Sequence, residues 1–385
     1  MDNQGTAQYQ APPSFGAGFN TNINRFVPGG YVVGPNVNQR GYVRTVTPGD
    51  PGRNSIQAAI NEASRLGGGV VNITRGTYTI LNNISMLSNV HLVGQNPLNT
   101  TFDFNGGTNQ IQSIGTSGNG YIQDVSIENI EFTGRRTGTN TEGNQSNIFF
   151  NYVNNAIIKN CIFTDNWNSL TNQGLDMEIG DSGGFPRNIV VEDCKILNSG
   201  GLIITASASY LRNCFFGTCN NVAIKAGIAS NIKITNNHFL SCGSYFLESH
   251  DEGDWVGGIF SNNTISNQLA VGFKDNSTEG CIFANNKISA GTGIEGHCFS
   301  CSSAFSKNIV VGNFIQSFSG DGINMPSGAI LNTITANIFD NNGGTGVGMA
   351  SGANENAISS NIFNANGGTI SNGGTGNILT GNVPS

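Results

Sequence analysis

The chain has 385 residues, a formal net charge of −7, 54 Gly and 23 Phe. Charged residues make up 11%, against a usual ~25%, which is too few to solvate the outer faces of a helical protein. The acidic balance argues against a nucleic-acid partner, no run of about eighteen apolar residues offers a membrane span, and 37% apolar content is too much for a disordered chain. Asn, Gly, Ser and Thr mixed with Ile, Val and Phe predict an all-β chain of many short strands joined by tight turns.

Residues 1–42 carry only Asp2, Arg25 and Arg40 as charges and are rich in Gln, Asn, Gly and Pro. That composition does not build its own core, so an extended N-terminal arm is expected. Phe15, Phe19, Phe26, Tyr31 and Val33 would anchor it where it orders on a partner or a neighbouring subunit. Met1 to Asn20 lacks the basic region and apolar run of a signal peptide, so the chain is expected either to stay in the cytosol that makes it, for assembly into a virion, or to be secreted without a cleaved signal. Next, Asn54 or Ser55 can cap a helix to about Arg65, with Ile56, Ala59, Ile60 and Ala63 on one face. Gly67-Gly-Gly69 ends it, and Val70–Ile73 and Thr77–Ile80 read as strands. Such a helix would cover the open edge of a first coil.

From there a six-residue frame Φ-x-N-z-x-Φ recurs, Φ being apolar. It stands at Ile127-Glu-Asn-Ile-Glu-Phe132, Ile158-Lys-Asn-Cys-Ile-Phe163, Val191-Glu-Asp-Cys-Lys-Ile196 and Leu211-Arg-Asn-Cys-Phe-Phe216, and returns to the end of the chain every 20 to 33 residues. Position z reads Ile130, Cys161, Cys194, Cys214, then Asn237, Asn263, Asn286, Asn313, Asn337, Asn361 and Asn382. A repeat of this length is one supersecondary unit that buries its apolar face only by stacking. A second strand follows each frame, as in Leu175–Ile179, Leu202–Ala206, Val222–Ala226 and Tyr245–Ser249. The expected fold is a parallel β-helix of about 10–12 coils over residues 43–385, capped by the helix at about 55–65. Coils would lie ~4.8 Å apart, and the stacked Asn amides, each donor and acceptor, would form a hydrogen-bonded ladder. Cys161, Cys194 and Cys214 would hold the same place as buried thiols, and Cys298-Phe-Ser-Cys301 lacks the second pair a zinc site needs.

The stretch Ser55-Ile-Gln-Ala-Ala-Ile-Asn-Glu-Ala63, followed by Gly67 to Tyr78, resembles the start of right-handed parallel β-helix proteins of the pectate-lyase-like superfamily. The resemblance spans roughly residues 43–383. It implies the fold, and a membership that includes polysaccharide lyases, hydrolases, epimerases and phage tailspikes. Val43 to Arg53 departs from the Asp-Phe-Gly-Ala-like start of many enzymatic and tailspike members, and no polygalacturonase-like Asn-Thr-Asp, Asp-Asp and Gly-His-Gly set is present. No catalytic residue is therefore carried over.

The candidate chemistry lies on the outward side of the second strand. Aligning Met177, Ile204, Ile224, Leu247, Val271, Ile294, Ile323 and Val347 as inward residues makes Glu178, Thr205, Lys225, Glu248, Gly272, Glu295, Asn324 and Gly348 one outward column. A second column holds His250, Lys274 and His297. Glu248 and Glu295 would stand ~9.6 Å apart from two strand spacings, near the roughly 6.5–9.5 Å of an inverting glycosidase. Lys274 could instead be the base of a β-elimination, with acids holding Ca²⁺. Catalysis is thus expected of Glu248, Glu295 and Lys274, and glycan binding of His250, Asp251, Asp254, Trp255, His297, Glu178 and Lys225. Trp255 would stack on a sugar ring. His91 and His238 read as structural. Two functions follow: a virion tailspike, fibre or capsid decoration that recognises surface glycan as a trimer with parallel axes, or a free polysaccharide lyase or glycoside hydrolase.

Overall fold

A computed structural model describes residues 25–27, 31–33, 42–49, 55–104, 110–114, 120–134, 146–164, 175–180, 186–219, 222–226, 229–243, 245–249, 255–268, 272–290, 296–301 and 304–384. Arg25–Val27 pairs antiparallel with Tyr31–Val33, and the rest of residues 1–41, with Phe15 and Phe19, lies outside the described residues.

Three long parallel sheets of 14, 13 and 12 strands run the length of the solenoid, one strand of each per coil. The first runs from Tyr42–Val46 to Ile378–Thr380, the second from Gly76–Thr79 to Val383–Pro384, and the third from Ile84–Ser85 to Gly368–Asn372. Each coil thus has three main strands rather than two. The recurring frame does not lie within one strand; it turns a corner. Its opening Φ-x closes a strand of the first sheet and its closing x-Φ opens a strand of the second, as Ile127-Glu128 and Glu131-Phe132 do. The third frame position makes the corner by taking a left-handed backbone: φ is 60° at Asn129, 48° at Asn160, 57° at Asp193, 56° at Asn213 and 55° at Asn285. Asn and Asp tolerate that conformation where most side chains cost roughly 1–2 kcal/mol. The Asn richness of the frame therefore has two separate causes, one at the bend and one at the ladder.

The ladder follows directly after the bend. The Asn286 side-chain oxygen accepts the Asn263 backbone N–H at 2.9 Å and Asn263 Nδ2 at 3.1 Å. Asn286 Nδ2 in turn donates to the Phe260 carbonyl at 3.0 Å and to Asn313 Oδ1 at 2.9 Å. Asn263, Asn313, Asn337 and Asn361 repeat these four bonds. Where the column changes residue, Cys214 N–H donates to Asn237 Oδ1 at 2.9 Å. In the coils before it the thiols of Cys161, Cys194 and Cys214 point at the carbonyls of Ile127, Ile158 and Val191, as weaker substitutes for an amide. All eight cysteines are free and buried. A second ladder, five residues upstream, links Cys281, Asn308, Asn332, Asn356 and Asn377.

The inward positions fill the tube. Phe132 stacks on Phe163 and Phe216 on Phe239 at 4.8 Å between ring centroids, and Phe339 on Phe363 at 5.1 Å. These separations follow from the strand spacing, and each buried Phe contributes roughly 1.5–3 kcal/mol. The helix Ile56–Arg65, capped by Ser55 Oγ on Ala58 N–H at 3.2 Å, lays Ile56, Ala59, Ile60 and Ala63 on the first coil. Gln57 completes the seal: its oxygen takes the Ser85 N–H at 2.7 Å and its amide donates to the Ser85 carbonyl at 3.1 Å, satisfying the first strand of the third sheet.

Replacing Asn286 by Ala would leave four ladder bonds unmade and should cost about 1–3 kcal/mol. The exposed Asn82→Ala should stay within about 0.5 kcal/mol of the parent. Urea denaturation of the two variants checks this; equal midpoints would contradict it.

Candidate functional site

On the third sheet Lys225, Glu248, Lys274, Ser300 and Asn324 stand in register on five successive coils. Lys274 Nζ lies 2.5 Å from Glu248 Oε1, and the same ammonium sits 5.5 Å from the centre of the Tyr245 ring. Asn276 Nδ2 reaches Glu248 Oε1 at 3.4 Å. The Glu248 side chain is only 6% exposed and is bridged by Lys274, which is 36% exposed. This register corrects the expected columns. Lys274, not Gly272, faces Glu248, because Phe273 is the buried inward residue, and a Cβ on Gly272 would meet the Cys298 carbonyl at 2.5 Å. Likewise Ser300 takes the place expected for Glu295, since Phe299 is the buried inward residue, and Ile203 takes the place expected for Thr205.

Glu295, His250, Asp251 and Asp254 lie outside the described residues, as does the Glu178 side chain, whose strand Leu175–Ile179 precedes Leu202–Ile204 in the sheet. Trp255 is not a sugar platform. Its ring is fully buried, edge-on to Phe283 at 5.9 Å, and lies where any Cβ on Gly258 would strike it at 2.0 Å. His297 sits at the edge of the row. Its Nδ1 accepts the Asp321 backbone N–H at 2.8 Å. The Asp321 carboxylate accepts the Thr345 N–H at 2.7 Å and hydroxyl at 2.9 Å, which extends the chain over three coils. Among the described residues no group of three or more His, Cys, Asp or Glu is placed to hold a metal ion.

A denser ionic row lies on the outer face of the first sheet, where Glu128, Lys159, Glu192 and Arg212 follow one another in register. Glu192 Oε1 is 2.7 Å from Lys159 Nζ, and Glu192 Oε2 is 2.6 Å from Arg212 Nη2. The Glu192 side chain is 6% exposed. Burial pushes its carboxyl up, but hydrogen bonds and charge from Lys159 and Arg212 outweigh that and hold it below the usual carboxylate range. This row was missed, although its signal stood in the second position of the frame, which reads Glu, Lys, Glu, Arg with alternating sign.

A family model described as the right handed beta helix region matches residues 229–383. Three parallel sheets wound coil by coil over the described chain extend the same architecture to residue 42. The fold is a right-handed parallel β-helix. No curated protein matches the sequence. Among solved structures, the N-terminal fragment of gene product 12 of bacteriophage Phi29 is similar to this β-helix with a TM-score of 0.62 and 11% identity, over 85% of this chain and 64% of that one. Tailspike protein 3 of bacteriophage CBA120 is similar at 0.54 and 13%, over 87% and 57%. The A-module of a mannuronan C-5 epimerase from Azotobacter vinelandii is similar at 0.52 and 14%, over 86% and 96%. At these identities the likeness is one of fold.

Glu192→Gln should cost about 1.5–3 kcal/mol at neutral pH, since Lys159 and Arg212 both lose the negative charge and one of them faces an amide NH2 in place of an acceptor oxygen. Because the folded carboxyl is more acidic than an unfolded one, this stabilisation is present above about pH 4.3 and is lost as pH falls through the folded value. The gap in melting temperature between parent and variant should therefore narrow from pH 7 to pH 3; a constant gap would contradict the ion-pair account.

Proposed function

We propose that this β-helix is a virion-associated protein that recognises a cell-surface polysaccharide by binding rather than cleaving it. The row Lys225, Glu248, Lys274, Ser300 and Asn324 is the observation that carries the reading. It sets polar groups along the axis at ~4.8 Å intervals on a rigid sheet, a spacing suited to a chain of hydroxyl-bearing rings. Glu248 is engaged by Lys274, and on the first sheet Glu192 is engaged by Lys159 and Arg212, which supports recognition over acid–base turnover. The similarity to a bacteriophage gene product and a bacteriophage tailspike supports the virion setting.

Self-association along the flank after residue 308 belongs to the same reading. No Lys or Arg occurs there. Phe314, Ile338, Ile362 and Val383 form one outward column, with Ile338 37%, Ile362 42% and Val383 54% exposed. An apolar stripe repeating at the coil spacing suits a second copy with a parallel axis, and a trimer of such copies would leave the polar rows outside, with the arm of residues 1–42 directed to virion proteins.

Full-length protein applied to immobilised bacterial surface polysaccharides should bind at least one and release no reducing or unsaturated ends. Lys274→Ala should weaken that binding roughly tenfold or more. Released oligosaccharide would overturn the reading in favour of a lyase or hydrolase.

A further inference from the structure

The polar row of the third sheet continues past Asn324 by a route that register alone does not show. Gly348 follows Asn324 in the column and brings no side chain. It is nonetheless buried, because the Asp321 carboxylate of the preceding coil lies over its outward side. A Cβ on Gly348 would stand 2.8 Å from Asp321 Oδ2, and one on Gly344 would strike Oδ1. The two glycines thus clear a seat that puts a carboxylate where residue 348 would have placed a side chain of its own. Lys274, Ser300, Asn324 and this carboxylate follow one another along the axis over three strand spacings, or ~14 Å.

The carboxylate is held at one oxygen and open at the other. Oδ1 accepts the Thr345 N–H at 2.7 Å and its hydroxyl at 2.9 Å. Oδ2 accepts no hydrogen bond from a described residue; His297 Nδ1, 3.4 Å away, is engaged by the Asp321 backbone N–H. The Asp321 side chain is 20% exposed, so solvent reaches a group whose position is already fixed. Beside it, the half-buried Ser300 hydroxyl and Asn324 amide have no hydrogen-bond partner among the described residues. Hydrogen bonds to an ionised oxygen are roughly twice as strong as neutral ones, and an oxygen fixed beforehand costs little ordering when a ligand arrives. What Oδ2 lacks is a donor. Two neighbouring sugar hydroxyls supply one to Oδ2 and place the second on the Asn324 amide, which can donate or accept.

We propose that Asp321 and Asn324 form a subsite for a sugar unit with two adjacent free hydroxyls, at the opposite end of the row from Lys225. The proposal rests on the glycan-recognition reading and names the residues that select a hydroxyl pair; it can fail while that reading stands. Thr345, Gly344 and Gly348 are positioning residues that act through the carboxylate.

The test is calorimetric titration of the full-length protein with gluco-, galacto- and manno-oligosaccharides and with their O-methylated forms, alongside the NMR signals of the His297 ring. At least one oligosaccharide should bind and shift the His297 signals, and its O-methylated form should bind roughly tenfold more weakly or worse. Asp321→Asn keeps an acceptor for Thr345 but presents an NH2 or a neutral oxygen to the sugar; it should weaken binding roughly tenfold or more with little change in melting temperature. Asn324→Ala, on an outward position, should weaken binding as well and serves if the first variant misfolds. If no oligosaccharide binds, if the O-methylated form binds as tightly, or if the His297 signals do not move, the subsite is not there. Binding of surface polysaccharide that is lost in Lys274→Ala but unchanged in Asp321→Asn and Asn324→Ala would overturn the subsite and leave the third-sheet reading intact.

Discussion

The structure depends on a side-chain amide that hydrogen-bonds to its own copy one coil away. A stacked coil has nothing at its corner to fix how far it is rotated on the coil below; apolar contacts are non-directional and tolerate slippage. The Asn column removes that freedom. Each amide ties two neighbouring coils through both backbone and side chain, so the corner can exist in one register only. The Phe stacks then add burial in a geometry the corner has already set. The same logic explains the substitution by Cys in the earlier coils, where the thiol reaches the same carbonyl position with a weaker bond and a smaller, more apolar group.

Once corner and core are fixed, outward positions are free to vary, and the chain uses them unevenly. Charges gather on the coils between Glu128 and Lys307 and pair along rows, whereas the flank beyond residue 308 is bare of cations and shows apolar columns. One end is sealed by a helix whose Gln57 supplies the bonds of a missing strand, while the last described coil exposes Ile378 and Val383. The outward surface is thus divided into a polar, charge-paired middle and an apolar flank.

Much of the fold was legible because backbone stacking forces identical chemistry to recur. The column Asn237 to Asn382, the Cys column that precedes it and the helix at Ile56–Arg65 all stand where the frame and its caps put them. The frame's third Asn was legible as a letter but not as a bend, since a left-handed φ leaves no mark distinguishing it from a ladder amide. The upstream ladder at Asn308, Asn332 and Asn356 hid inside a composition already rich in Asn. The third sheet was misaligned, by two residues at Phe273 and by five at Phe299, because connections into it differ in length from coil to coil, and only packing decides that these two side chains point inward. Trp255 failed as a site residue for the same reason: a large aromatic beside a loop of acids reads as a binding platform until Gly258 is seen to make room for it in the core.

The central claim is that ladder amides act on one another from coil to coil rather than as isolated buried groups. A double-mutant cycle measures this directly. Asn286→Ala and Asn313→Ala, whose side chains are joined at 2.9 Å, should show a coupling energy of about 0.5–3 kcal/mol in urea denaturation. Asn263→Ala and Asn361→Ala, separated along the column by three other ladder amides, should be additive within about 0.5 kcal/mol. Additivity in the adjacent pair would contradict the account.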